Sequence, residues 1–94
     1  MTPSHEALLC RTFPDLYGCE YSFSACPDSW FELLYNLSQA LTDHARRAGL
    51  QLVATDVKEK HGSLRFYAEG TDAEADRLIA EAESASEGIP DDGK

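Results

Sequence analysis

The sequence contains no long apolar stretch, since none of its hydrophobic runs approaches the roughly 20 residues that a transmembrane helix requires. It also begins without the basic residues and following apolar segment that are typical of a secretory signal. We therefore expect no membrane partner. The expected location is the cytoplasm.

Cysteine is scarce, with Cys10, Cys19 and Cys26 and no Cys-x-x-Cys pair. Such an odd, sparse set is not typical of a secreted domain held together by disulfides, so we expect reduced thiols. A structural zinc site needs about four suitably spaced ligands, and the three histidines are scattered along the chain. The sequence therefore predicts no metal site and no other cofactor.

Basic residues are also few, with 8 lysines and arginines against 17 acidic residues and a formal net charge of −9. A chain with this balance repels nucleic acid, because DNA binding depends largely on Lys and Arg neutralising phosphates. We expect no direct contact with nucleic acid, and a protein partner should offer a basic surface. The acids are concentrated after residue 71, where only Arg77 and Lys94 are basic: Asp72, Glu74, Asp76, Glu81, Glu83, Glu87, Asp91 and Asp92.

The composition fits one folded domain, with 94 residues of which 43% are hydrophobic and 27% charged. We expect a single α+β domain over residues 1–87. Residues 88–94 have no core-forming pattern and are predicted to form a flexible C-terminal tail.

Three helices are predicted from caps and periodicity. Thr2 can cap a first helix with Pro3 at its first position, and this helix should end near residue 13 because Pro14 follows. A long amphipathic helix over residues 27–48 should organise the core and end at Gly49. Its apolar stripe comprises Trp30, Leu33, Leu34, Leu37, Leu41, Ala45 and Ala48.

The final helix is predicted from about residue 72 to residue 86. Thr71 and Glu74 have the spacing of a capping box, in which each side chain satisfies a backbone N–H at the helix start. Apolar residues follow at helical spacing. This helix would carry most of the acidic cluster.

A short antiparallel sheet of two to three strands is predicted between the long helix and the final helix. Residues 50–57 and 63–67 are rich in strand formers, and the polar segment 58–62 contains a glycine suited to a hairpin connection. Leu64 and Phe66 should face the long helix because side chains alternate along a strand. The aromatic segment 21–23 is the candidate third strand.

Two sets of residues are candidates for binding, and no motif assembles a catalytic group. The acidic final helix can serve as a solvated face or as a surface for a basic partner, together with exposed aromatic anchors. A second candidate is an anion contact on the hairpin through Lys58, Lys60 and Arg65. The predicted partner-binding residues are Asp72, Glu74, Asp76, Glu81, Glu83, Phe31 and Tyr67.

Residues 26–34 and 57–67 resemble a family of small bacterial and bacteriophage proteins with no accepted activity. The shared pattern is Cys-x-Asp-x-Trp, a helix, and then Val-Lys-Glu-Lys-x-Gly-x-Leu-Arg-Phe-Tyr. The resemblance covers roughly residues 14–86 and implies a mobile-element setting. Small acidic proteins in that setting often inhibit host defence, anti-CRISPR proteins among them.

The preferred hypothesis is therefore a non-enzymatic phage or prophage inhibitor. It would bind a host nucleic-acid-handling protein complex and block access to DNA or RNA, most specifically as an anti-CRISPR protein. Two alternatives stay open: an acidic protein-interaction or immunity-type module, and a small enzyme or anion-binding domain that uses the hairpin.

Overall fold

The computed structural model describes residues 1–17 and 26–89, and it has the predicted α+β architecture of helices around a short antiparallel sheet. Four α-helices and two strands are present in the described residues, with one turn of 3-10 helix before the long helix. The elements are α1 (Pro3–Thr12), α2 (Pro14–Tyr17), the 3-10 turn (Asp28–Trp30), α3 (Phe31–Ala48), β1 (Val53–Lys60), β2 (Ser63–Glu69) and α4 (Ala73–Ser86).

The N-terminal helix begins as the sequence predicts and is followed by a short helix that the sequence did not reveal. Thr2 Oγ1 accepts a hydrogen bond from the His5 N–H at 3.3 Å, and Pro3 occupies the first turn. Pro14 ends α1 but also opens α2, because its fixed φ suits a first helical position. A proline after a helix thus predicted a stop here without revealing the next start.

The long helix α3 and the 3-10 turn before it provide the central buried stripe. Trp30, Leu34, Leu37 and Leu41 are each at most 5% exposed. Gly49 ends the helix with a φ of +72°, a left-handed conformation that costs glycine little. The stripe is shorter than predicted, because its positions in the last turn are half-buried or exposed.

The hairpin connection is shorter than predicted. Only His61 and Gly62 lie between the strands, with φ values of +56° and +81°. Positive φ at both central residues is the signature of a type I′ turn, whose twist matches that of the flanking strands. Lys58 and Lys60 therefore belong to β1 and not to a loop, and the predicted five-residue connection is wrong.

Leu64 and Phe66 point inward as predicted, but the helix that packs along β2 is α4 and not the predicted long helix. Val57 lies opposite Phe66, and Leu64 lies opposite Glu59. Leu64 and Phe66 are buried, and the Phe66 ring meets the Tyr17 ring edge-on with centroids 6.4 Å apart. β1 begins at Val53 and not at residue 50, and a bulge follows Ala54.

The start of α4 also differs from the prediction. Asp72 is the N-cap, and its Oδ1 accepts the Ala75 N–H at 2.9 Å, whereas the predicted capping box of Thr71 and Glu74 does not form. The helix buries Ala75, Ile79, Ala82 and Ser86 and ends at residue 86 as predicted.

The predicted third strand at residues 21–23 lies outside the described residues, as do residues 90–94 of the predicted tail. Of the segment after α4, Ile89 packs against the core. None of the helices in the described ranges combines the length and hydrophobicity of a membrane span.

Candidate functional site

Helix α4 lies along the free edge of β2 and covers it with side-chain acceptors. Leu64 and Phe66 occupy non-hydrogen-bonded positions of the antiparallel ladder, so their N–H groups point away from β1. Ser86 Oγ accepts the Leu64 N–H at 2.8 Å, and Glu83 Oε2 accepts the Phe66 N–H at 3.0 Å. α4 therefore protects an edge that would otherwise be open to another strand.

This arrangement divides the acidic residues of α4 into two groups. Glu83 and Glu87 face β2, since Glu87 Oε2 accepts the Ser63 hydroxyl at 3.3 Å. Glu83 was predicted to contact a partner, but the structure gives it a bond to the sheet. Four other carboxylates belong to the helix or its N-cap, Asp76 and Glu81 exposed and the other two half-buried, and we call them the α4 acidic face: Asp72, Glu74, Asp76 and Glu81.

Arg77 crosses the middle of the α4 acidic face. Its guanidinium donates to Glu74 and to Glu81, the latter at 2.8 Å, and all three side chains are well exposed. The hydrogen bond from Arg77 lowers the pKa of Glu74. With Arg77 included the face retains a net charge of −3, and Asp76 is its exposed carboxylate with no ion pair among the described residues.

His44 of α3 fixes the first turn of α4. Its Nε2 lies 3.0 Å from both carboxylate oxygens of Asp72. The Ala75 N–H and His44 together lower the pKa of Asp72, because both stabilise its ionised form. The α4 acidic face is consequently held in a fixed position relative to the long helix.

Phe31 was predicted to be an exposed anchor, but it is half-buried. Its ring stacks on the His5 ring with centroids 4.0 Å apart and lies 6.0 Å from the Tyr35 ring. His5 Nδ1 in turn lies 2.6 Å from Asp28 Oδ1, and the bond to His5 lowers the pKa of Asp28. Phe31 thus helps to join α1 to the start of α3.

The other predicted aromatic anchor, Tyr67, is 50% exposed on the side of the sheet that faces away from the core. Lys58 and Arg65 lie directly opposite each other on that side, next to the Asp56–Tyr67 pair. Lys58 Nζ is 3.2 Å from Asp56 Oδ2. The three predicted anion-binding residues are therefore brought to one surface, because Lys60 follows Lys58 at the strand period.

The groups that could suggest catalysis are separated or buried. Burial raises the pKa of the Cys26 thiol to about 11, so the thiolate is scarce at neutral pH. The Ser63 hydroxyl donates to Glu87, while His61 is exposed in the turn. Within residues 1–17 and 26–89, no three His, Cys, Asp or Glu side chains lie close enough to hold a metal ion.

A shallow groove of about 420 Å³ lies between α2, the end of α3 and the segment leading into β1. Its lining includes the apolar residues Leu16, Leu50 and Leu52 and the charged residues Asp15 and Arg46. Sequence periodicity did not indicate this groove, because its walls come from three separate segments.

The sequence did not predict two residues that bond to the α4 acidic face. Arg77 was noted only as a basic residue within the cluster, although its spacing from residues 74 and 81 suits helical ion pairs. His44 had no local signal, because its partner Asp72 is 28 residues away.

The chain matches no protein-family profile, no curated protein and no solved structure.

Proposed function

We propose that this chain is a non-enzymatic inhibitor, encoded by a phage or prophage, that binds a host protein complex at its basic nucleic-acid-binding surface. Binding there blocks access of DNA or RNA to the complex, and an anti-CRISPR protein is the leading specific case. The observation that carries the proposal is the α4 acidic face, a group of four carboxylates on one fixed helix.

The fixed position of the α4 acidic face favours binding. The helix is tied to α3 through His44 and Asp72 and to β2 through Glu83 and Ser86. Charges on a preorganised element lose little conformational freedom when a partner binds. At 1.5 Å per residue, the carboxylates at positions 72 and 81 are about 13 Å apart along the axis, so the face spans several phosphate positions of a nucleic-acid strand.

The sign of the charge favours a protein over a nucleic acid as the partner. The whole chain carries −9, and the α4 acidic face adds a local field of the same sign. Carboxylates form charge-assisted hydrogen bonds with the lysines and arginines that normally hold phosphates. Complementary fields of this kind also speed association at low salt.

The test is capture by the tagged chain from lysates of host bacteria, followed by competition. The captured complex is purified, and its affinity for a labelled DNA or RNA oligonucleotide is measured with and without the chain. We expect the chain to displace the oligonucleotide. Capture of a protein that does not bind nucleic acid would instead favour the interaction or immunity-type module.

Two matched variants show whether the α4 acidic face is the contact. Asp76→Lys combined with Glu81→Lys reverses two outer charges and leaves the N-cap intact. The control reverses Glu32 and Asp43, which are exposed on α3. We expect the first variant to lose at least tenfold in affinity and the control to lose less than threefold, with similar melting temperatures. Equal losses would show that only net charge matters and would contradict the proposed contact.

The anti-CRISPR case has its own measurement. A phage targeted by the CRISPR system of its host should form many more plaques when the chain is expressed, and the Asp76/Glu81 variant should remove this effect. Competition for nucleic acid without plaque rescue in any CRISPR-bearing host would exclude the anti-CRISPR case and retain the broader proposal.

A further inference from the structure

The side of the β1–β2 sheet that faces away from the core forms a second surface, which we call the outer sheet face. The register places alternate side chains of both strands on it. It consists of Val53, Asp56, Lys58 and Lys60 from β1, with Arg65, Tyr67 and Glu69 from β2.

The outer sheet face carries two large exposed hydrophobic side chains among its charged residues. Three large hydrophobic side chains are exposed among the described residues, and two of them, Val53 at 48% and Tyr67 at 50%, lie on this face. They are close to each other, because Val53 pairs with Glu69, two residues beyond Tyr67. Exposed tyrosine beside arginine is typical of the centre of protein interfaces.

The charges of the outer sheet face are sorted by position along the strands. The basic side chains Lys58, Lys60 and Arg65 lie toward the turn, and Lys58 faces Arg65 directly, an arrangement that costs stability within one chain. The acidic side chains Asp56 and Glu69 lie toward the other end. Among the described residues, no carboxylate lies within 4.0 Å of the Arg65 guanidinium or the Lys60 ammonium group.

A surface with a basic end near the turn and an acidic end that also carries Val53 and Tyr67 is complementary to itself. If a second copy is turned by a two-fold rotation about an axis across the strands, between the Lys58–Arg65 and Asp56–Tyr67 pairs, its acidic end meets the basic end of the first copy. Tyr67 of each copy then meets Arg65 of the other next to the axis, where a guanidinium can lie on an aromatic ring. We infer that the outer sheet face binds a second copy of this chain, face to face, in a two-fold symmetric dimer.

The size of the surface sets the strength of the dimer. Two strands of 7 to 8 residues give a face about 25 Å long and about 10 Å wide, well below the roughly 800 Å² per partner of a stable interface. The two copies also repel each other through their net charge of −9. We expect a reversible dimer with a dissociation constant on the order of 100 µM.

The test is sedimentation velocity of the full chain from about 10 µM to about 1 mM at physiological salt. We expect the weight-average sedimentation coefficient to rise from the monomer value toward the dimer value over this range. A purely monomeric chain at 1 mM would overturn the inference. A continued rise beyond the dimer would also overturn it, because a two-fold interface closes.

Charge reversals show whether dimerisation depends on this interface or only on the net charge of the chain. Lys58→Glu with Arg65→Glu removes the basic end, and a matched reversal of Arg46 and Arg47, exposed near the end of α3, changes the net charge equally. We expect the first variant to stay monomeric up to 1 mM and the second to dimerise within threefold of the unaltered chain. Equal weakening in both would overturn the proposed face.

The opposite reversal gives the sharper result. Asp56→Lys with Glu69→Lys makes the chain four charges less negative, so a simple net-charge effect would strengthen association. The inference requires the reverse, a loss of dimerisation, because the acidic end is gone. Mixing this variant with the Lys58/Arg65 variant should restore a heterodimer.

Binding of a labelled single-stranded oligonucleotide, twelve thymidines long, tests whether the basic and aromatic outer sheet face binds nucleic acid instead of a second copy. Binding that is lost in the Lys58/Arg65 variant, with no dimer in the unaltered chain, would assign the outer sheet face to nucleic acid and overturn the inference.

Discussion

Ser86 provides a sensitive test of how α4 is held on the sheet. Its side chain is fully buried, and its hydroxyl accepts the Leu64 N–H at 2.8 Å and donates to the Glu83 carbonyl at 2.6 Å. Ser86→Ala removes the acceptor and leaves the Leu64 N–H buried, since Leu64 is also fully buried. An unsatisfied buried donor costs about 1–3 kcal/mol.

Alanine offsets a small part of this cost because it favours the helix over serine by about 0.5 kcal/mol. We therefore expect the free energy of unfolding to fall by about 1–2 kcal/mol in Ser86→Ala. The matched control is Ser84→Ala, an exposed position on the same helix. The control should be neutral or slightly more stable.

The measurement is urea denaturation followed by circular dichroism. With a slope of about 1 kcal/mol per molar urea, expected for a small domain, the midpoint of Ser86→Ala should fall by about 1–2 M. Hydrogen exchange of the Leu64 amide should accelerate more than exchange elsewhere on β2. Indistinguishable midpoints for the two serine variants would refute the idea that the Ser86 hydroxyl secures the edge of β2.

Three further predictions concern the fold. Leu37→Ala, on the buried stripe of α3, should lower the free energy of unfolding by about 2–5 kcal/mol in the same assay, and an unchanged value would show that the core face is misassigned. Gly70→Ala would place a Cβ 2.2 Å from the Gln51 carbonyl oxygen, at a φ of +80°. It should destabilise the fold far more than Gly49→Ala, where the φ is +72° but the space around the new Cβ is open. Equal melting temperatures for the two variants would contradict this. The pKa of Asp72 is lower in the folded state, so the stabilisation from its carboxylate is present above the unfolded pKa of about 3.9 and is lost as the pH falls through the lower folded value. Asp72→Ala should therefore lower the melting temperature at pH 7 and lower it by less in acid. A difference between variant and unaltered chain that grows in acid would contradict this.

Local sequence signals were sufficient to predict the helices that organise the fold. The stripe of α3 and its stop at Gly49 follow from periodicity and from the backbone freedom of glycine. The end of α4 near Ser86 and the inward orientation of Leu64 and Phe66 are local consequences of the same kind. Each depends on residues within a few positions of one another.

The errors arose where two local choices have similar energies. Thr71 and Asp72 are both good N-cap residues, and the sequence favoured the first because Glu74 completes a capping box. In the structure His44 bonds to Asp72, a tertiary contact that accompanies the choice of the second cap. The two-residue turn at His61 was also hidden, because a non-glycine residue with positive φ is uncommon.

The acidic surface was predictable as a cluster but not in its orientation. The sequence placed Glu83 among the partner-binding residues, whereas its carboxylate accepts the Phe66 N–H. Whether a carboxylate of α4 faces solvent or the sheet depends on the position of α4 beside β2, and no local sequence pattern indicates that position. The same limit applies to the outer sheet face, whose members were predicted separately as an anion site and an aromatic anchor.

The two proposed surfaces involve different residues, so each can be altered without the other. The α4 acidic face depends on Asp76 and Glu81, while the outer sheet face depends on the pairing of Lys58 with the acidic end of a second copy. Reversal at Lys58 and Arg65 should therefore abolish the dimer and leave capture of a basic partner intact. Reversal at Asp76 and Glu81 should do the opposite. If one pair of reversals removes both activities while the melting temperature is unchanged, the two surfaces act together, and the dimer is then the form that binds the partner.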